Sequence, residues 1–175
     1  SLTSASWSLQ GPLALAGHFQ QMDLAAVLKP YVSRGTVQGD FTHRWDNAQG
    51  AQAAIKGEGN VRVDIRDLIV ERIAAGASAS FSLALGNVHA TIACLDGACT
   101  IKELKGDGED GSFTAQGRVA LQQPLQQSLL DLTITLIPGP GFAQKAASLS
   151  LPPFQPGAPL TFKLVGPIMN ARVAL

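Results

Sequence analysis

Charge is what this sequence has least of. Asp, Glu, Lys and Arg make up 15% of its 175 residues, against roughly 25% in an ordinary soluble domain. Thirteen basic residues meet thirteen acidic ones, so no net field steers nucleic acid or an anionic membrane surface toward the chain. No run reaches the roughly 18 apolar residues a spanning helix needs. Aromatics are sparse and scattered, with a single Tyr and two Trp, which excludes a base-stacking platform. Three His and two Cys are too few and too separated for a conventional zinc site. No G-x-S-x-G, H-E-x-x-H or G-x-x-x-x-G-K-S/T motif occurs, so no nucleophile elbow, zincin helix or phosphate loop is encoded. No catalytic residue, metal or cofactor is expected.

Alternation is what the sequence has instead. Val61, Val63 and Ile65 alternate with Arg and Asp in NVRVDIR, and Ala77, Ala79, Phe81, Leu83 and Leu85 alternate with Ser in ASASFSLAL. The same two-residue period returns in SASWSLQ, in 113–121, in 132–136 and in 160–168. A period of two with small polar residues opposite predicts half-buried strands. Seven or more of them between Gly- and Pro-rich turns predict a mainly β fold, a curved and largely antiparallel sheet system. With no linker in sight, 1–175 reads as one domain.

MDLAAVLKPYVSRG breaks the pattern, since Leu24, Val27, Leu28, Tyr31 and Val32 fall on one helical face. A short helix is expected near 23–33, capped by Asp23, interrupted by Pro30 and ended by Gly35. A second is expected over 142–148. Segment 66–75 fits a helical turn or a buried strand equally well.

Small residues recur along the strands, which suits either two closely packed sheets or one long sheet around a shallow apolar groove. In the second arrangement Phe81, Leu83, Leu85, Val119, Leu132, Ile134, Leu136, Phe162 and Leu164 would line the groove. Ala79, Ala115, Gly117 and Gly166 would leave room for a chain-shaped apolar ligand. Trp45, in THRWDN, is the one aromatic in a polar setting and is a candidate partner contact.

Both cysteines lie in ATIACLDGACTIKEL. The C-x-x-x-x-C spacing with Asp-Gly at its centre is not the C-x-x-C of a redox helix. It places Cys94 and Cys99 opposite each other across a hairpin closed by the four-residue loop 95–98. Two readings follow: a cross-strand disulfide formed in an oxidising compartment, or two reduced, buried thiols. Behind them DGEDG carries Asp107, Glu109 and Asp110, but no Glu follows at calcium-loop spacing. It reads as an acidic, solvent-facing turn.

Residues 92–175 resemble the C-terminal part of type II secretion system protein N. The resemblance rests on CLDGACTIKELKGDGEDGSFTAQGRVAL, PLQQSLLDLTITLIPGPGF and the closing APLTFKLVGPIMNARVAL. In the last segment Ala171 stands where the family usually has Pro before the Arg. QMDLAAVLKPYVSRGTVQGDF resembles the strand–helix–strand units of AsmA-like envelope proteins. The first resemblance implies a non-enzymatic periplasmic region of a Gram-negative inner-membrane protein, anchored by an N-terminal helix outside this chain. Its partners would be other components of the secretion machine. The AsmA-like resemblance implies lipid binding, lipid transport or outer-membrane assembly instead.

Overall fold

The computed structural model describes residues 5–6, 13–29, 31–45, 57–71, 82–124, 127–146 and 157–174. Ten strands run in chain order: β1 Ala5–Ser6, β2 Leu13–Asp23, β3 Val32–Trp45, β4 Glu58–Glu71 and β5 Ser82–Leu95. They continue with β6 Ala98–Gly108, β7 Gly111–Ala120, β8 Leu129–Pro138, β9 Leu160–Pro167 and β10 Arg172–Ala174. All belong to one antiparallel sheet in which each strand pairs with its sequence neighbours. The fold is therefore mainly β and antiparallel, and its described strands form a single sheet rather than a two-sheet sandwich.

Two short helices interrupt the meander. α1, Leu24–Val27, starts at Asp23, whose carboxylate accepts a hydrogen bond from the Ala25 N–H at 2.9 Å. It ends at Leu28, well before the expected Gly35, because the chain must enter β3 at Val32. Gly35 lies inside that strand. α2 spans Pro140–Ala146 and starts two residues earlier than expected, with Pro at its first position, where the missing N–H costs nothing. Segment 66–71 is strand; 72–75 lie outside the described residues, as do Trp7, Leu9 and 77–81.

The β5–β6 hairpin is tighter than the sequence suggested. Leu95 and Ala98 pair, leaving Asp96-Gly97 as a two-residue turn with φ of 48° and 83°. Positive φ at both positions is the type I′ geometry whose twist matches the flanking strands. Asp96 also ties the turn to the start of β4: the Gly57 N–H donates to its carboxylate at 3.0 Å, and its own N–H donates to the Gly57 carbonyl at 2.9 Å. Cys94 and Cys99 are cross-strand partners joined by a disulfide, with Cα atoms 3.9 Å apart.

The acidic turn faces solvent at Asp107 and Glu109 but not at Asp110. Asp110 is 2% exposed, and its Oδ2 accepts from the Ala84 N–H and from Lys145 Nζ, both at 2.6 Å. The Gly139 N–H donates to its carbonyl at 2.9 Å. Asp110 thus clasps the start of β5, the β6–β7 turn and α2 together.

Candidate functional site

Strand register sorts the side chains onto two contrasting faces, since cross-strand partners point the same way. One registered row runs Gly17–Phe41–Val61–Ile92–Ile101–Gly117–Leu132–Leu164–Val173 from β2 to β10. Beside it runs Val37–Ile65–Val88–Gly106–Phe113–Leu136–Leu160. At about 4.8 Å per strand, the first row extends over roughly 38 Å. All its residues are apolar or glycine.

The expected groove residues can now be placed. Val119, Leu132, Ile134, Leu136, Phe162 and Leu164 lie on this apolar face. Leu83 opposes Val70, and Leu85 packs with Val70 against the cluster of Val32, Leu68 and Val88. Register shifts where Leu68 meets Gly86, which has a φ of 63°, so strict alternation fails there. Phe81 lies outside the described residues. Trp45 sits at the end of β3, and its ring meets His43 edge-on with centroids 4.1 Å apart.

This face is only partly covered: Val37, Val88, Ile101, Ala115 and Leu132 are buried, Phe41, Val61, Ile92 and Leu164 are half-buried, and Val173 is exposed. Apart from α1 and α2, the described residues provide no second layer over it. Among them only Ser128, a polar residue, is less than 2% exposed, while the best-buried hydrophobics, Cys99 and Phe142, keep 4% and 5%. Local filling comes from within the sheet. Phe19 lies over its cross-strand partner Gly39, His43 over Gly59, and Phe113 over Gly106. Each ring occupies the space a side chain on the glycine would need.

The opposite face is polar. His18–Asp40–Arg62–Thr91–Glu103 form one row, and Gln38–Asp64–His89–Lys105–Thr114–Thr135–Thr161 form the next. Two histidines pair with aspartates across adjacent strands: His18 Nδ1 is 2.7 Å from Asp40 Oδ1, and His89 Nδ1 is 2.7 Å from Asp64 Oδ1. On its other side, His89 Nε2 faces Thr91 Oγ1 at 3.3 Å and Glu103 Oε2 at 3.5 Å. Lys105 Nζ reaches Glu103 Oε1 at 2.7 Å. That hydrogen bond, then the Lys105 charge, hold the Glu103 carboxyl below the usual carboxylate range, with a smaller contribution from His89.

Asp64, His89 and Thr91 follow the acid–base–hydroxyl order of a nucleophilic relay. Their surroundings do not complete one. Glu103 competes for the same Nε2 at 3.5 Å. The cluster is an ion-pair network across three strands. It was invisible in sequence because 25 residues separate Asp64 from His89. Among the described residues no group of three or more His, Cys, Asp or Glu is placed to hold a metal ion, and no helix is long and apolar enough to cross a membrane.

Over β3 to β8 the polar face is hollowed into an open trough of about 870 Å³, lined from Gln38 and Asp64 at one end to Thr135 and Ile137 at the other. The sheet thus has two contrasting faces, one apolar and partly covered, the other polar. Comparison with protein-family models, with curated proteins and with solved structures returned no match.

Proposed function

We propose that this chain is a non-enzymatic periplasmic component of the type II secretion system, acting through contacts rather than chemistry. The observation that carries the reading is the apolar row crossing β2 to β10 with no second layer over it among the described residues. Phe41, Val61, Ile92 and Leu164 of that row stay half-buried and Val173 is exposed, and apolar surface left part-exposed over such a length favours covering by a partner. The disulfide fits an oxidising compartment such as the periplasm. The resemblance of residues 92–175 to secretion protein N supplies the system. Chemical crosslinking in the native envelope, followed by identification of the captured proteins, tests this. Secretion-system components are the expected partners, and their absence from the captured set refutes the assignment.

A second reading rests on the same face. Gly17, Ala90, Ala115 and Gly117 sit among its larger residues, and a surface with such gaps accommodates an acyl chain as readily as a protein. Native mass spectrometry of protein purified without detergent, with organic extraction, separates the two readings. Stoichiometric lipid favours the AsmA-like role, and lipid-free protein favours the protein partner.

A further inference from the structure

The polar trough has a geometry that neither reading uses. It crosses the strands rather than following them, because its lining comes from β3, β4, β5, β6, β7 and β8 in turn. Two neighbouring rows build it. One is Gln38–Asp64–His89–Lys105–Thr114–Thr135, and the other brings Arg66 beside the registered set Asn87–Asp107–Ser112–Ile137. Six strands at about 4.8 Å give a trough of roughly 24 Å, open along its length.

Its chemistry narrows the occupant. Arg66 and Lys105 balance Asp64 and Asp107, so the trough neither attracts nor repels a polyelectrolyte strongly. Gln38, Arg66, Asn87 and Asp107 make no side-chain hydrogen bond or ion pair with other described residues. Amides and carboxylates together offer both donors and acceptors. Such a set suits a ligand whose hydroxyls do both. Ile65, Val88, Gly106, Phe113 and Ile137 also line the trough, and such apolar stretches between polar groups match the C–H faces of a sugar ring.

The period discriminates further. Binding groups recur once per strand, about every 4.8 Å, whereas an extended peptide repeats about every 3.3 Å. A peptide laid across the strands would therefore drift out of phase within two or three residues. An extended glycan repeats once per ring at close to the strand spacing. From charge balance, donor–acceptor pairing and period, we infer that the trough on the polar face binds an extended, uncharged glycan chain.

The test is a two-dimensional NMR titration of the whole chain with cellohexaose and, separately, chitohexaose. The expected result is saturable binding of at least one of them, with shift changes along Gln38, Asp64–Arg66, Asn87–His89 and Lys105–Asp107. The double variant Arg66→Ala/Asn87→Ala should weaken binding about ten-fold, the scale of losing two hydrogen bonds to a neutral ligand. Lys163→Ala, on β9 outside the trough, should leave it unchanged. Shift mapping on the unsubstituted protein needs no variant, so a folding defect cannot mask the answer. No saturable binding of either sugar overturns the inference. So does binding that the double variant does not weaken, or tighter binding of a neutral decapeptide or a heparin hexasaccharide.

Discussion

Phe113 packs against Gly106, its registered partner across β6 and β7, and a Cβ on that glycine would collide with the ring. The pairing explains a glycine in a strand interior, where glycine normally weakens the sheet. It also fills part of the apolar face without a second layer. Gly106→Ala should therefore destabilise the protein by about 1–3 kcal/mol, the usual cost of overpacking. Urea unfolding checks this, and an unchanged midpoint would mean the ring lies elsewhere.

The Cys94–Cys99 disulfide closes a hairpin already held by a type I′ turn. Its loop is short, so little chain entropy is removed from the unfolded state. We predict that the double Ala variant loses at most about 2 kcal/mol, the low end for disulfides. Intact-mass measurement of non-reduced protein should show both thiols missing. Two free thiols in periplasmic material would contradict the pairing.

Asp110 is the clasp whose removal should be felt most. Asp110→Ala abolishes the contacts to the Ala84 N–H and Lys145 Nζ, and about 3 kcal/mol is expected for a buried, charge-assisted pair. Hydrogen exchange in 140–146 should accelerate along with this loss. Lys145→Met should also destabilise, since it leaves the Asp110 carboxylate, 3% exposed, without its charged partner. Equal protection of α2 in wild type and Asp110→Ala would show that the helix is held by packing alone.

Glu103 provides the pH dependence. Lys105 lowers its folded pKa below the unfolded one, so its contribution is present above the unfolded pKa and is lost as pH falls through the folded value. Its exposure makes the effect small in stability but readable in titration. Lys105→Met should raise the Glu103 midpoint toward the usual carboxylate range, seen in the side-chain carboxyl carbon shift. An unmoved midpoint would show that Lys105 does not hold the carboxylate in solution.

The sequence discloses local order and hides what depends on register. Alternation around Val61–Ile65 and Leu132–Leu136 revealed the strands because a face repeats every second residue. Asp-Gly at 96–97 revealed the turn for the same local reason. Asp110 looked like a solvated turn residue, yet its partners Ala84 and Lys145 are 26 and 35 positions away. No window contains such a clasp. The His89–Asp64 pair was hidden likewise, and the bulge where Leu68 meets Gly86 lets Leu85 and Val88, an odd number of residues apart, share one apolar cluster. The choice between one sheet and two was also beyond composition, since small residues serve either.

The central claim is that the apolar face is the working surface, and opposite faces of one strand test it most directly. Phe162 and Thr161 are adjacent on β9 and pair with Ile134 and Thr135, on the apolar and polar faces respectively. A photo-crosslinking residue is placed at each position of the full-length protein in the native envelope. The account predicts adducts with a secretion-system component from position 162 and none from position 161. Secretion-component adducts from 161 alone, or from neither, would contradict it.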